Sequence, residues 1–162
     1  MIEHSDTFQL FVEVAIAVAG FAGVATVFGG QNRSFQAAEN LRLRALFQNS
    51  ALVLIGCMSL LALDAAEVEH RWNVVAVSLL VVSIYLVTFL DVPLKSIKLR
   101  TSNDSSVTVF SLSIAVSPFV VGVPLLLGNA LYLRQEWPLI VVFTHYILMS
   151  LWVFYRLLTN RN

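Results

Sequence analysis

Three polar side chains interrupt long apolar stretches of this 162-residue chain, and two of them, a glutamate and a histidine, can bind a proton. Glu13, Asn129 and His145 each lie a few residues inside such a stretch. If the stretches cross a bilayer, a charged side chain there costs about 2.5–3.5 kcal/mol on insertion scales, so it should face other helices and find a partner. Counted from the same membrane face, the three residues lie at comparable depths. We therefore predict a polar cluster in which Glu13 and His145 meet directly or through one water, with Asn129 nearby.

Two interpretations of this predicted cluster remain open. In the first it is a site for an ion, a proton or a small ligand, which is the usual role of ionisable residues within membranes. In the second it is a set of structural hydrogen bonds between helices, each worth about 1 kcal/mol or less. The residue types and spacing alone do not choose between them.

Metal and cofactor chemistry is not indicated. Glu67 and His70 have the Glu-x-x-His spacing of di-iron bundles, but such sites need two of these motifs and further carboxylates. A solvated acidic loop is the simpler interpretation of this segment. Cys57 is the only cysteine, which excludes an intrachain disulfide and a zinc site built from cysteines. We expect no metal and no cofactor.

Catalytic motifs are not found in the sequence either. There is no phosphate-binding loop with Lys followed by Ser or Thr, no Gly-x-Ser-x-Gly turn and no His-Glu-x-x-His. We also identify no nucleophile paired with a base at matching depth in the apolar stretches. The sequence therefore does not favour an enzyme.

The composition is that of a membrane protein. Hydrophobic residues make up 58% of the chain and charged residues 12%, with a mean hydropathy of +0.80. Soluble domains are about 45–50% apolar and about 25% charged, so this chain has too little polar surface to cover a water-soluble globule. Ten basic residues balance ten acidic ones, which disfavours nucleic acid as a partner. The lipid bilayer is the expected environment.

Five apolar stretches are long enough to be transmembrane helices, because about 20 helical residues cross the hydrocarbon core. They cover residues 8–28, 45–63, 72–90, 109–133 and 138–158. Strands in soluble cores are far shorter, so we predict an all-α transmembrane bundle of about five spans in one domain, residues 1–162. Pro118 and Pro124 bend or break the fourth stretch, and a re-entrant segment is the alternative to a kinked span.

The basic residues predict the orientation of the bundle. Eight of the ten fall in alternate loops and at the C-terminus: Arg33, Arg42, Arg44, Lys95, Lys98, Arg100, Arg156 and Arg161. Only Arg71 and Arg134 fall on the other side. Because basic residues are enriched in cytoplasmic loops, this pattern predicts an N-terminus outside and a C-terminus in the cytoplasm.

Small residues recur along the first stretch at helical spacing. Ala15, Ala19 and Gly23 lie four residues apart, and Gly20 lies on the side of Glu13. Small side chains let helices approach closely in a membrane. We expect this pattern to serve close packing inside the bundle, and a contact between copies or a pore lining is the alternative.

Polar residues also gather near the predicted cytoplasmic ends of the spans. They are Gln48, Asn49, Ser50, Asp91, Ser111, Ser113, Ser117 and Arg156. Hydrogen bonds between helices and a pair between Asp91 and Arg156 explain them without a function. A polar vestibule is the alternative.

The first third of the chain resembles a set of small bacterial membrane proteins of unknown function. The resemblance rests on the run Ala-Gly-Phe-Ala-Gly at 19–23 after Glu13, followed by Glu39, the Arg-Leu-Arg run at 42–44 and Ser50. It implies a bacterial inner-membrane setting. These proteins have no established activity, so the resemblance assigns no role to any residue.

Two functions fit these patterns. One is a small oligomeric channel or transporter that uses the polar cluster and the proline-containing fourth helix. The other is a non-catalytic scaffold or subunit that binds itself or another membrane protein through its small-residue faces. A channel requires a continuous polar path, and a scaffold does not.

Overall fold

Helices account for all regular structure in the described part of the chain. The structure, a computed structural model, describes residues 2–29, 37–89, 94–95, 97–98, 113 and 116–159. The predicted all-α class is confirmed for these residues. The helices are α1 (Ser5–Gly29), α2 (Ala37–Ala65), α3 (His70–Phe89), α4 (Pro118–Leu133) and α5 (Trp137–Thr159).

Four of the helices, α1, α2, α3 and α5, are long and apolar enough to cross a membrane. Their apolar windows cover Ser5–Val24, Asn40–Ala65, His70–Thr88 and Trp137–Arg156. Of the fourth predicted span, 109–133, the structure describes α4, 16 residues from Pro118 to Leu133, and the helical residues 113, 116 and 117 before it. Most of the residues predicted to precede α4, at 109–115, lie outside the described ones.

The irregularity of α4 is local and follows from its prolines. A regular α-helical core, Val123–Gly128, is flanked by two wider π-helical segments, Pro118–Gly122 and Asn129–Leu133. Pro124 has no N–H to donate to the preceding turn, and the wider winding lets Val123 N–H bond to Pro118 O instead. The prolines of the fourth stretch predict an irregular helix, and the structure shows that α4 changes its helical pitch twice.

The helices alternate in direction, and tight turns join α2 to α3 and α4 to α5. Each turn contains one residue in the left-handed conformation, Glu67 with φ 56° and Arg134 with φ 52°. Such a residue ends a helix by letting its N–H reach back to a free carbonyl, as Arg134 N–H does to Asn129 O at 2.8 Å. We call the end of the bundle with these turns the turn end; α1, α3 and α5 begin there. We call the opposite end the far end.

Helix α2 lies at the centre and packs against α1, α3 and α5. Its closest approach is at Gly56, where an added Cβ would lie 2.5 Å from the ring of Phe143 on α5. The main apolar core surrounds this point and contains aromatic edge contacts of Phe143 with Phe8 and Phe11. A second, smaller core lies toward the far end, around Val18, Ala22 and Leu46.

Candidate functional site

Asn129 is a buried connector between α3, α4 and the following turn. Its side-chain amide donates to Ser78 Oγ on α3 at 3.1 Å. Its side-chain carbonyl accepts the backbone N–H of Gln135 at 3.0 Å. Neither Asn129 nor Ser78 is exposed. With both ends of its amide satisfied by the chain itself, Asn129 holds the turn against α3.

His145 is paired with a hydroxyl group on α4. Its Nε2 lies 3.0 Å from Ser117 Oγ, and either atom can donate, depending on the tautomer of the ring. Ser117 Oγ also lies 3.9 Å from the sulfur of Met149, one turn further along α5. A nucleophilic side chain and a base therefore do meet at matching depth, contrary to the sequence-based expectation.

The pair of Ser117 and His145 lacks other parts of a hydrolase site among the described residues. None of them hydrogen-bonds the second ring nitrogen of His145, which a catalytic base needs for orientation. Pro118 follows Ser117, so the next residue has no N–H to stabilise a developing oxyanion. The arrangement joins α4 to α5 by a hydrogen bond at the first π-helical segment.

Glu13 has a different environment from the other two members of the predicted cluster. Its side chain is exposed on the outer surface of α1. Among the described residues, no hydrogen bond or ion pair joins any two of Glu13, Asn129 and His145. The structure thus gives Asn129 and His145 different hydrogen-bond partners and leaves Glu13 exposed. A functional role for them stays a prediction.

The small residues of α1 divide between the inner and outer sides of the helix. Ala15 is buried in the main core and Ala19 is half-buried. Gly20 is exposed and Gly23 half-buried, and a Cβ added at either one would have no heavy atom within 4 Å. Within the described bundle, close approach therefore occurs at Gly56 and not at Gly20 or Gly23.

A buried carboxylate that the sequence analysis did not single out lies at the turn end. The side chain of Glu136, just before α5, is only 5% exposed. Its two oxygens accept the backbone N–H groups of Glu3 at 2.9 Å and His4 at 3.0 Å, just before α1. The ring Nδ1 of His4 lies 2.9 Å from Oε2. Nδ1 of His70, the first residue of α3, lies 3.5 Å from Oε1, outside hydrogen-bond geometry.

The direction of the helices gives an electrostatic reason for the position of Glu136 at the turn end. The N-terminus of a helix carries unsatisfied N–H groups and the positive end of the helix dipole. Helices α1, α3 and α5 all begin at the turn end, and Glu136 supplies the anion between them. An acidic residue directly before the Trp-Pro start of an apolar helix is a recognisable N-terminal signal. That signal could have identified Glu136, but not its contact with residues 132 positions away.

The described residues contain no group of three His, Cys, Asp or Glu side chains arranged to hold a metal ion. The acidic loop before α3 is solvated at Glu67 and Glu69, which are exposed. Glu69 lies 3.7 Å from the guanidinium of Arg71 in an exposed ion pair. His70 differs from these exposed carboxylates, because it is half-buried and its Nδ1 lies 3.5 Å from Oε1 of Glu136.

Several buried polar atoms have no hydrogen-bond partner among the described residues. They are Oε1 of Gln48, Oγ of Ser50, Oδ1 of Asn73, the hydroxyl of Tyr146, Oγ of Ser150 and Nε of Arg156. Gln48 does donate from Nε2 to the backbone carbonyl of Thr88 on α3 at 3.0 Å. Asp91 and Ser111, the other members of the predicted far-end polar group, lie outside the described residues.

Similarity to known proteins does not assign a role to any of these groups. No protein-family model, no curated protein and no solved structure matches the chain.

Proposed function

We propose that the chain is a small homo-oligomeric channel or transporter of the bacterial inner membrane, in which copies meet along the outer surface of α1. The observation that carries this proposal is the exposure of Glu13 on an apolar helix. Gln9, Ala17 and Gly20 lie on the same side at helical spacing and are also exposed. We call Gln9, Glu13, Ala17 and Gly20 the α1 outer face.

Contact with a second copy of the chain is energetically favourable for the α1 outer face. Glu13 lies eight residues, about 12 Å, from the start of α1, and a carboxylate at such depth is costly when it faces lipid. Ala17 and Gly20 would let the backbone of a second helix approach closely. A parallel second copy of α1 brings a second Glu13 carboxyl to the same depth, with a Gln9 amide about one helical turn away. Two adjacent carboxyls can share one proton, and an amide can donate to them.

Transport is the proposed activity because a ring of carboxyl groups at an interface between copies attracts cations. Such rings set the selectivity of many cation channels. In this arrangement the conducting path lies between copies. The interior of one copy is closed around Gly56 and Phe143 by apolar contacts.

The same closed interior favours the alternative function, a non-catalytic scaffold or subunit. A scaffold would use the α1 outer face only for assembly, with itself or with another membrane protein. Its Glu13 would serve as a hydrogen-bonding group in the contact and not as an ion ligand.

Five spans with the N-terminus outside and the C-terminus in the cytoplasm are part of this proposal. The distribution of basic residues supports it. The alternating helix directions are compatible with it, provided that α4 and the residues before it cross the membrane. The bacterial setting rests on the resemblance of the first third of the chain.

Replacing Gly20 with Leu should reduce assembly, because the larger side chain holds the two copies of α1 apart. The oligomer mass of the purified protein in lipid nanodiscs would be measured, and a shift toward monomer is expected. Ala76→Leu is the matched control, since Ala76 is an exposed small residue on α3. If Gly20→Leu assembles as well as Ala76→Leu does, the copies do not meet through α1.

Replacing Glu13 with Gln should lower ion flux while leaving the oligomer intact, because an amide keeps the hydrogen bonds and removes the charge. Flux of protons and potassium into liposomes containing the purified protein would be measured for both forms, with a decrease of about tenfold or more expected from loss of the charged ring. An oligomeric wild-type protein without flux would contradict transport and support the scaffold. A monomeric wild-type protein would contradict the homo-oligomeric channel and leave only a scaffold that binds another membrane protein through the α1 outer face.

A further inference from the structure

The hydroxyl group of Tyr146 lies inside the bundle without a hydrogen-bond partner. Tyr146 is 0% exposed and belongs to the main core. Its Oη atom is fully buried, and no atom of the described residues forms a hydrogen bond with it. A buried tyrosine hydroxyl usually has a partner, because an unpaired one gives up its bonds to water without replacement.

The oxygen of Tyr146 lies against the first π-helical segment of α4. A Cβ added at Gly122, the last residue of that segment, would lie 3.4 Å from Tyr146 Oη. Among the described residues outside this part of α4, the only other heavy atom within 4 Å of that position is Val142 Cγ1, at 3.9 Å. At Gly56, by contrast, three side-chain atoms lie within 3.1 Å. Gly122 is buried, yet its side toward Tyr146 is less tightly filled than the close contact at Gly56.

The same segment leaves the carbonyl group of Phe119 without a helical donor. Its donor in an α-helix would be the N–H of Val123, but that group bonds to Pro118 O. Its donor in a π-helix would be residue 124, which is a proline and has no N–H. A helical carbonyl points along the axis toward the backbone three to four residues later. The Phe119 oxygen therefore lies beside Gly122, where the Tyr146 hydroxyl group meets α4.

Aromatic contacts place Phe119 and Tyr146 in the same junction of α3, α4 and α5. The ring of Phe119 lies 4.8 Å from the ring of Tyr85 on α3, measured between centroids. The ring of Tyr85 stacks on that of Tyr146 at 5.9 Å. Phe119 and Gly122 are three residues apart, so they lie on the same side of α4. A free donor and a free acceptor therefore face this junction.

We propose that a water molecule binds between Tyr146 Oη and the carbonyl oxygen of Phe119. The phenol donates its proton to the water, and the water donates to the carbonyl. Buried waters typically bridge groups that otherwise lack partners, and ordered waters can satisfy the backbone groups that a proline frees in a membrane helix. Such a water joins α4 to α5 at the point where α4 changes its pitch. The proposal is independent of oligomerisation and of transport.

The test is a double-mutant cycle of Tyr146→Phe and Pro124→Ala, measured as the melting temperature of the purified protein in one detergent. Tyr146→Phe removes only the hydroxyl group and should lower the melting temperature by about 2–4 °C, the shift that one lost hydrogen bond gives in a chain of this size. Pro124→Ala restores an N–H, so the Phe119 carbonyl regains a helical donor and no longer needs the water. In that background, Tyr146→Phe should lower the melting temperature by less than half as much.

The control is Tyr155→Phe, which removes the hydroxyl group of an exposed tyrosine on α5 and should leave the melting temperature unchanged. A rise or no change with Tyr146→Phe would overturn the proposal, because it would mean that the hydroxyl group is dry and unpaired. Equal losses in the two backgrounds would overturn it as well, since the hydroxyl group would then not depend on the freed carbonyl.

A second measurement needs no substitution and separates a bridging water from a direct bond between the hydroxyl group and the carbonyl. Solid-state NMR of the protein in lipid can follow magnetisation from water to the Cζ atom of Tyr146. Build-up should be several times faster there than at Cζ of Phe143, a fully buried ring on the same helix. Equal, slow build-up at both positions would overturn the proposal.

Discussion

Glu136 is the residue that holds the start of α1 in place. Its carboxylate accepts two backbone N–H groups and contacts the ring of His4. Ile2, directly before these residues, is buried in the main core. The start of α1 is therefore attached both by a hydrophobic contact and by a charged hydrogen-bond acceptor at the end of the helix dipole.

Replacing Glu136 with Gln should loosen the start of α1. The amide keeps the shape of the side chain, but its NH₂ group would face a backbone N–H, so one donor loses its acceptor. The expected loss is about 1–3 kcal/mol of unfolding free energy. Hydrogen exchange of the first turn of α1 should also become faster.

The control for this substitution is Glu69→Gln. Glu69 is an exposed carboxylate at the same end of the bundle, with a side chain 62% accessible to solvent. Exposed ion pairs contribute about 0–1 kcal/mol, so this variant should behave like the wild type. Equal effects of the two substitutions would show that burial of Glu136 has no special role.

At the scale of the helices, the contact between α2 and α5 depends on one glycine. An added Cβ at Gly56 would lie 2.5 Å from Phe143 Cζ and 3.1 Å from Val81 Cγ2. Phe143 is fully buried and packs edge-to-face against both Phe8 and Phe11. The ring has little room to move aside, so only a residue without a side chain fits at position 56.

Gly56→Ala should therefore destabilise the protein by about 1–3 kcal/mol, the usual cost of overpacking a core. Gly128→Ala is the matched control, because Gly128 is helical and an added Cβ there meets nothing within 4 Å. Alanine is the better helix former, so this control should be neutral or slightly stabilising. Unfolding in a denaturing detergent series would compare them. A neutral Gly56→Ala variant would contradict the close approach of α2 and α5.

At the scale of the whole molecule, the two ends of the bundle differ. The turn end is closed by short turns and by Glu136, which contacts residues before α1 and at the start of α3. Among the arginines of the described helices and turns, Arg71 and Arg134 lie at the turn end, and Arg42, Arg44 and Arg156 lie toward the far end. The far end therefore has the charge expected of the cytoplasmic side.

Reporter fusions in bacterial cells would test this orientation. A reporter active only in the cytoplasm should give signal when fused after Asn162 and when inserted at Ser102, because both sites fall on the basic side. A fusion in the turn at Val68 should be silent. Signal at Val68 together with silence at Asn162 would show that the orientation is the reverse of the predicted one. Silence at Asn162 alone would show that the number of spans is not five.

The sequence by itself determines the helical class and the approximate ends of α1, α3 and α5, whereas α2 begins at Ala37, eight residues before the predicted start at 45. Apolar stretches of about 20 residues must form helices in a bilayer, since all backbone groups need partners within the segment. The irregularity of α4 could also be predicted, because a proline always lacks its N–H. These are local properties, so the neighbouring residues in the chain are enough to determine them.

The contacts of the polar residues were decided only by the tertiary structure. Depth along a helix can be counted from the sequence, and it suggested that Glu13, Asn129 and His145 lie together. The direction of each side chain around its helix, and the order in which the helices pack, cannot be counted in this way. Those two properties pair His145 with Ser117, pair Asn129 with Ser78 and leave Glu13 on the outer surface. These helices are apolar on nearly all sides, so the sequence gives little indication of which side of each helix faces inward. Packing against the neighbouring helices determines that side.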